Sequence, residues 1–239
     1  MMSMSDLQFL QLQVDALYTH DPRGRIRNVN EPGGDRAPRF FLGRTREGHI
    51  WRCRDDVAEG TVRELERLAF EEPVRDNLRA EPRNLNAFLA TLRADRESAS
   101  SEWRYAGPAY RFPDELPPAT VTRITRPSLH LLRLMPWNLD ETAREFEGYE
   151  PFMAVIEDGA AVSLCHSARL TDQAAEAGVE TLEAHRGHGH ASAVVAGWAD
   201  AIRASGRIPL YSTSWDNLAS QAVTRRLGLI QYGTDFSLG

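Results

Sequence analysis

The residues with the most chemical content lie in one run, Glu180-Thr-Leu-Glu-Ala-His-Arg-Gly-His-Gly-His-Ala-Ser192, immediately ahead of a helical stretch. Glycines at 187 and 189 let backbone approach a ligand without interference from a Cβ. A helix starting near Ala191 offers free amide N–H groups and the positive end of its dipole. Such a loop suits an anion, and Arg186 supplies a matching charge. All 28 basic residues of the chain are arginine. The lack of lysine excludes a Schiff-base enzyme that uses pyridoxal phosphate, and it excludes a Walker A loop. Phosphate must therefore be held by amides, by arginine or by a metal.

Two glutamates precede the loop. On a strand, Glu176, Gly178 and Glu180 share one face. Their unreactive reading is a pair of solvated strand carboxylates. His185, His188 and His190 are close in sequence. The start of a helix is expected to splay them, and no carboxylate or cysteine follows at ligand spacing, so no metal site is expected. Cys165 and His166 are neighbours on a strand and point to opposite faces, which reads as a structural cysteine rather than a nucleophile with its base. Trp198 and Trp215 read as core or rim residues. Asn30 and Glu31 are weaker candidates for facing a substrate.

The elements that position these groups follow from periodicity and turn chemistry. The proline-dense stretch at 112–119 predicts a boundary between a small α+β module, residues 1–112, and a second domain, residues 120–239. The first holds a predicted hairpin at 39–43 and 49–53, helices at 57–70 and 85–97, and a loop at 28–34. The second begins with a strand at 121–125 and helices at 128–135 (capped by Ser128) and 140–147 (capped by Asp140). A hairpin follows around Glu157-Asp-Gly159, then a strand at 176–182. Val194, Val195, Trp198, Ala201 and Ile202 mark one face of a helix ending at Gly206. A strand at 208–212, a helix capped by Asp216 or Asn217 and stopped by Gly228, and a strand at 229–236 complete the order.

With its glycine loop, this order resembles the GNAT superfamily of acetyl-CoA-dependent N-acetyltransferases. Arg186-Gly-His-Gly-His-Ala191 is similar to the family's R-x-x-G-x-G/A pyrophosphate loop. Asn217-Leu-Ala-Ser-Gln-Ala-Val-Thr-Arg-Arg-Leu-Gly-Leu229 is similar to its N-x-x-A-x-x-L-Y-x-K-L-G-F ending, with Thr224 where the family carries its tyrosine acid. The resemblance covers residues 120–239. It implies a mixed central sheet with flanking helices and acetyl-CoA lying between two splayed parallel strands. Val179, Glu180 and Thr181 would pair with the pantetheine arm, Arg186, Gly187, His188, Gly189, His190, Ala191 and Ser192 would hold the pyrophosphate, and Asn217 would touch the cofactor near its thioester. Glu176, or Glu180, would be the base, and water or another side chain such as Tyr211 or Ser220 would have to stand in for the missing acid. The expected activity is transfer to a small-molecule or peptide amine. The alternative is a catalytically silent acyl-CoA sensor.

Composition narrows the partners. A net charge of −6 with both signs interspersed argues against nucleic acid, and it weakly favours a cationic acceptor. The N-terminal stretch lacks a signal-peptide pattern, and the most apolar later run is broken by Asp200. Two distant cysteines, Cys53 and Cys165, predict no disulfide. The expectation is a soluble cytoplasmic protein without a membrane partner, with a homodimer open.

Overall fold

The computed structural model describes residues 4–95 and 104–239. The chain opens with helix α1 (Asp6–Leu17), whose start is fixed by a reciprocal cap: the Ser5 hydroxyl accepts from the Gln8 amide and the Gln8 side chain accepts from the Ser5 amide. A small antiparallel pair follows, β1 (Tyr18–His20) and β2 (Ile26–Val29), then a hairpin of β3 (Phe40–Thr45) and β4 (His49–Cys53). Helices α2 (Glu59–Phe70) and α3 (Leu85–Ala94) lead to β5 (Arg104–Arg111). The end of the helix predicted at 85–97 lies outside the described residues. Next come β6 (Thr122–Ile124), a 3-10 helix (Arg126–Leu132), the short helices α4 (Leu139–Arg144) and α5 (Phe146–Tyr149), and strands β7 (Phe152–Glu157), β8 (Ala160–Leu170) and β9 (Ala174–Thr181). After a 3-10 turn at Glu183–His185, the chain ends with α6 (His190–Ala204), β10 (Ile208–Ser212), α7 (Leu218–Leu227) and β11 (Ile230–Leu238).

One nine-stranded mixed sheet, in the order β4-β3-β11-β5-β10-β9-β8-β7-β6, takes strands from both halves of the chain. The boundary expected at 112–119 therefore does not separate two sheets. It links β5, in the middle of the sheet, to β6 at its edge. Strand β5 was not foreseen because Gly107 and Pro108 at its centre argue against an interior strand. Both have local reasons to be there. A Cβ on Gly107 would lie 1.8 Å from the Thr213 carbonyl oxygen. Pro108 falls where the β10 ladder stops, and its carbonyl accepts from the Thr213 amide at 3.2 Å.

The two faces of the sheet bury different helices. Cys165, Ala175 and Tyr211 pack under Val194, Val195, Trp198 and Ile202 of α6, together with Val223 and Leu227 of α7. On the opposite face Phe41, Ala109, Ala174, Leu210 and Tyr232 receive Leu10 and Val14 of α1. Gly43 leaves room for Leu10, whose methyl carbon would lie 2.5 Å from a Cβ there. Full burial of such a leucine contributes about 1.5–3 kcal/mol, enough to hold α1 over the strands that carry Glu176 and Asp235. Helix α1 and the β1–β2 pair were missed in the sequence, and the loop read at 28–34 overlaps the end of β2.

Two further readings are corrected. The helix expected at 128–135 is a 3-10 turn capped by Thr125, because Pro127 at its start and Pro136 beyond it leave no room for a longer α-helix. Asn138, not Asp140, caps the next helix, its side-chain oxygen accepting from the amides of Asp140 and Glu141. The hairpin at Glu157-Asp-Gly159 forms as expected, with Asp158 at φ 47° and Gly159 at φ 70°.

Candidate active site

Strands β9 and β10 run parallel and are paired only at Ile208↔Ala174, Pro209↔Ala175 and Leu210↔Glu176. Beyond Glu176 they part. The cause lies on the other side of β10, where Tyr211 and Ser212 pair with Tyr110 and Ala109 of β5 and draw the strand away. The gap opens into a cavity of about 1140 Å³, walled by Ala177, Val179 and Thr181 from β9, by Tyr211 and Ser212 from β10, and by the loop before α6. The β9 backbone past the fork is thus offered to an extended ligand, in the manner of strand addition.

At the far end of this cavity the glycine loop takes the conformation its composition suggested. Gly187 and Gly189 have φ of 83° and 86°, and Gly189 is the N-cap of α6, where no side chain caps the helix. Arg186, Gly187, Gly189, His190, Ala191 and Ser192 all line the cavity. Arg186 donates from Nε to the Thr181 carbonyl at 3.3 Å. His188 is different: it does not line the cavity, and its ring stacks on that of His190 at 5.7 Å. Sequence reasoning missed Arg226 of α7, whose guanidinium lies against the loop. A Cβ on Gly189 would meet its Nη2 at 3.0 Å.

The histidines are not splayed as expected. His185 Nδ1 and His190 Nε2 converge on the carboxylate of Glu157, at 2.9 and 3.1 Å. That carboxylate precedes the loop by two whole strands, at the end of β7, so local spacing gave no sign of it. The three ligand atoms lie within 4.8 Å of one another. The arrangement ties the loop to the β7–β8 hairpin.

Glu176 stands at the fork. It is buried, Oε2 accepts from the Ser212 hydroxyl at 3.1 Å, and Oε1 has no partner among the described residues. Burial raises its carboxyl to about 7. Glu180 shares its face, as the alternation predicts, but its carboxylate accepts from Trp137 Nε1 at 2.8 Å. Between them, Gly178 leaves space for the His166 ring, which a Cβ would approach to 2.5 Å. A second cavity of about 550 Å³ lies on this face and is lined by Glu176. Tyr105, Ala177 and Ser212 belong to the walls of both cavities, so the two meet beside the glutamate.

The family model described as GNAT acetyltransferase matches residues 118–234. That stretch belongs to the GNAT acetyltransferase family. The matched stretch is accordingly an acyltransferase domain by family, and the mixed sheet with flanking helices is of the GNAT kind. Among solved structures it is similar to a GNAT-family acetyltransferase from Colwellia psychrerythraea, at 14% identity and TM-score 0.50, covering 100% of this chain and 98% of that one. It is also similar to a GCN5-related N-acetyltransferase-like protein from Streptococcus suis, at 16% identity and TM-score 0.50, covering 85% of each chain. A GNAT-family protein from Novosphingobium aromaticivorans matches at 18% identity and TM-score 0.45, over 57% of this chain and 64% of its own. At these identities the likeness is one of fold. No curated protein matches the chain in sequence. Among the described residues no helix is long and apolar enough to cross a membrane.

Within this GNAT domain, Thr224 at the family's tyrosine position is buried and donates to the Gln221 carbonyl at 2.9 Å, outside the cavity wall. Tyr211 and Ser220 do line the cavity, and their hydroxyls are 2.7 Å apart. Burial pushes the Tyr211 phenol up to about 12. Asn217 also lines the cavity, while its side-chain oxygen caps α7 by accepting from the Ser220 amide at 3.0 Å. Cys165 and Cys53 are buried and unpaired. His166, packed 4.5 Å from Trp137, is driven down to about 3 by burial. Trp198 is core, and Trp215 lies beneath Arg79 at 5.1 Å. Asn30 is occupied with the carbonyls of Ala16 and Leu170, and Glu31 pairs with Arg169 at 2.8 Å.

Proposed function

We propose that the protein transfers an acetyl group from acetyl-CoA to a primary amine by direct attack while both are bound. The observation that carries this reading is Glu176: a buried carboxyl raised to about 7, with one oxygen unpartnered among the described residues, where two cavities meet at the end of a forked strand pair. A general base works best when its pKa lies near the operating pH. The residues present fit acetyl-CoA. Val179, Glu180 and Thr181, paired with β8 on one side, present strand backbone that β10 leaves unpaired on the other, the glycine loop and the first amides of α6 face the same cavity, and Arg186 and Arg226 supply positive charge in a chain without lysine. The thioester supplies the acyl group and a thiol leaving group. Glu176 removes the amine's proton, and the Tyr211 hydroxyl, which keeps its proton at about 12, donates a hydrogen bond to the departing sulfur. Glu180, held by Trp137, keeps the wall of the cleft in place.

The buried Thr224 favours the silent-sensor reading, and the Tyr211–Ser220 pair answers it with a hydroxyl on the cavity wall. A second cavity of about 550 Å³ suits a small molecule better than a folded protein's terminus. Two buried, unpaired thiols are in keeping with a reducing, cytoplasmic setting.

Calorimetric titration tests the cofactor assignment. Wild type should bind acetyl-CoA in the micromolar range, about 8 kcal/mol. Arg226→Glu should weaken it by about tenfold, a loss of about 1.4 kcal/mol, and the loss should shrink in high salt. Absence of binding by the wild type sinks the reading.

A further inference from the structure

We infer that the second cavity is the acceptor's seat, and that it receives a small primary amine as its ammonium ion between the buried carboxyls of Glu176 and Asp235. The inference deepens the acetyl-transfer reading and rests on it. The cavity lies between the first half of the chain, through Tyr18, Val29 and Arg36, and the strands β8, β9 and β11. Asp235 is buried on β11. Its Oδ2 accepts from Gln13 Nε2 at 2.7 Å, and Gln13 Oε1 accepts in turn from the Tyr232 hydroxyl at 2.8 Å. The glutamine of α1 is thereby fixed with its amide NH2 toward Asp235, while Asp235 Oδ1 has no partner among the described residues. A β-bulge between Gln231 and Gly233 turns β11 so that Tyr232 and Asp235 both reach Gln13.

Two buried carboxyls, each with one bare oxygen, therefore line one small cavity. Leaving such a group unsatisfied when buried is costly, and an ammonium ion brings three donors. The cavity's own cations are already neutralised: Arg36 pairs with Asp55 at 2.5 Å and Asp56 at 3.2 Å, and Arg169 pairs with Glu31 at 2.8 Å. Burial and the charge of Glu176 hold the Asp235 carboxyl well above its ordinary value, so the uncompensated negative charge is that of ionised Glu176, which selects a cation. Because the cavity meets the larger one beside Glu176, a nitrogen held there sits at the strand fork, next to an acyl group laid along β9.

The chemistry balances. Glu176 takes one proton from the ammonium ion, the freed lone pair forms the C–N bond, and the C–S bond breaks with its electrons going to sulfur. The second nitrogen proton passes to the thiolate, and Glu176 returns its proton to water. Asp235 holds the ammonium ion and does not take its proton.

The test is CoA release with ethanolamine, 1,4-diaminobutane, phenethylamine and glycine, alongside calorimetry with acetyl-CoA. Asp235→Asn should raise KM for the amine that turns over by tenfold or more and leave the acetyl-CoA Kd unchanged. It should change kcat less than KM, because Asp235 holds the ammonium ion without taking its proton. Arg169, Tyr18, Tyr105 and Tyr232 also face this pair, and none of them changes in the variant. Asp235→Glu should recover part of the loss. Val29→Trp, on the cavity wall away from both acids, should exclude phenethylamine before ethanolamine. The inference is overturned if Asp235→Asn leaves KM unchanged or lowers kcat as much as it raises KM, or if acetyl-CoA binds and no amine of the panel turns over. Failure to bind acetyl-CoA would instead overturn the reading on which it rests.

Discussion

Glu176→Gln should lose nearly all turnover and become more stable at pH 8. The amide cannot take a proton, so kcat/KM should fall by about 10²–10⁴-fold. In wild type kcat/KM should rise with pH through about 7, as the carboxyl ionises. Stability runs the other way. The folded carboxyl is raised from 4.5 to about 7, so the native state binds a proton that the unfolded chain has released. Its contribution is fully present below 4.5, falls as pH rises and is lost above about 7. A shift of that size corresponds to about 3 kcal/mol. The glutamine variant removes the buried charge while keeping an acceptor for Ser212, and its stability should be flat across that window. Urea unfolding at pH 5 and pH 8 measures the difference. A variant that is inactive but no more stable at pH 8 would show that the glutamate is ionised in the fold at no cost, contrary to its burial.

The second large effect belongs to Tyr211. Tyr211→Phe should lower kcat by about 100-fold, the loss typical of removing one donor aimed at developing charge, with the acetyl-CoA Kd nearly unchanged. Thr224→Val should leave kcat near wild type, because its hydroxyl is spent on the Gln221 carbonyl. Pre-steady-state CoA release separates the chemical step from product release. The reverse pattern, with Thr224 essential and Tyr211 dispensable, would move the donor to the buried side of α7.

Legibility divides along a physical line. The glycine loop, the helix behind it, the Asp158–Gly159 turn and the Gly228 stop were readable because each depends on local backbone chemistry, on positive φ or a helix end. The shared face of Glu176 and Glu180 was readable because strand alternation is rigid. Which of the two is buried was not, since that depends on α1, Ser212 and the fork, all remote in sequence. Glu157, Arg226, Tyr105 and Asp235 reach the site from separate elements, and nothing in their own neighbourhoods marks them. Strand β5 was hidden for the opposite reason. Its glycine and proline read locally as a turn, and only the approach of the Thr213 carbonyl explains them.

Strand β5 also sets a clock on synthesis. Its two neighbours in the sheet, β10 and β11, are encoded about a hundred residues after it. At the usual elongation rate of about 5–20 residues per second, β5 leaves the ribosome roughly 5–20 seconds before either flank exists to receive its backbone. For that interval a tyrosine-bearing strand with both edges bare is a template for any extended segment nearby. Gly107 and Pro108, which suit the finished sheet at the Thr213 contact, then serve the nascent chain as well: they interrupt the strand in its middle and keep it from pairing prematurely.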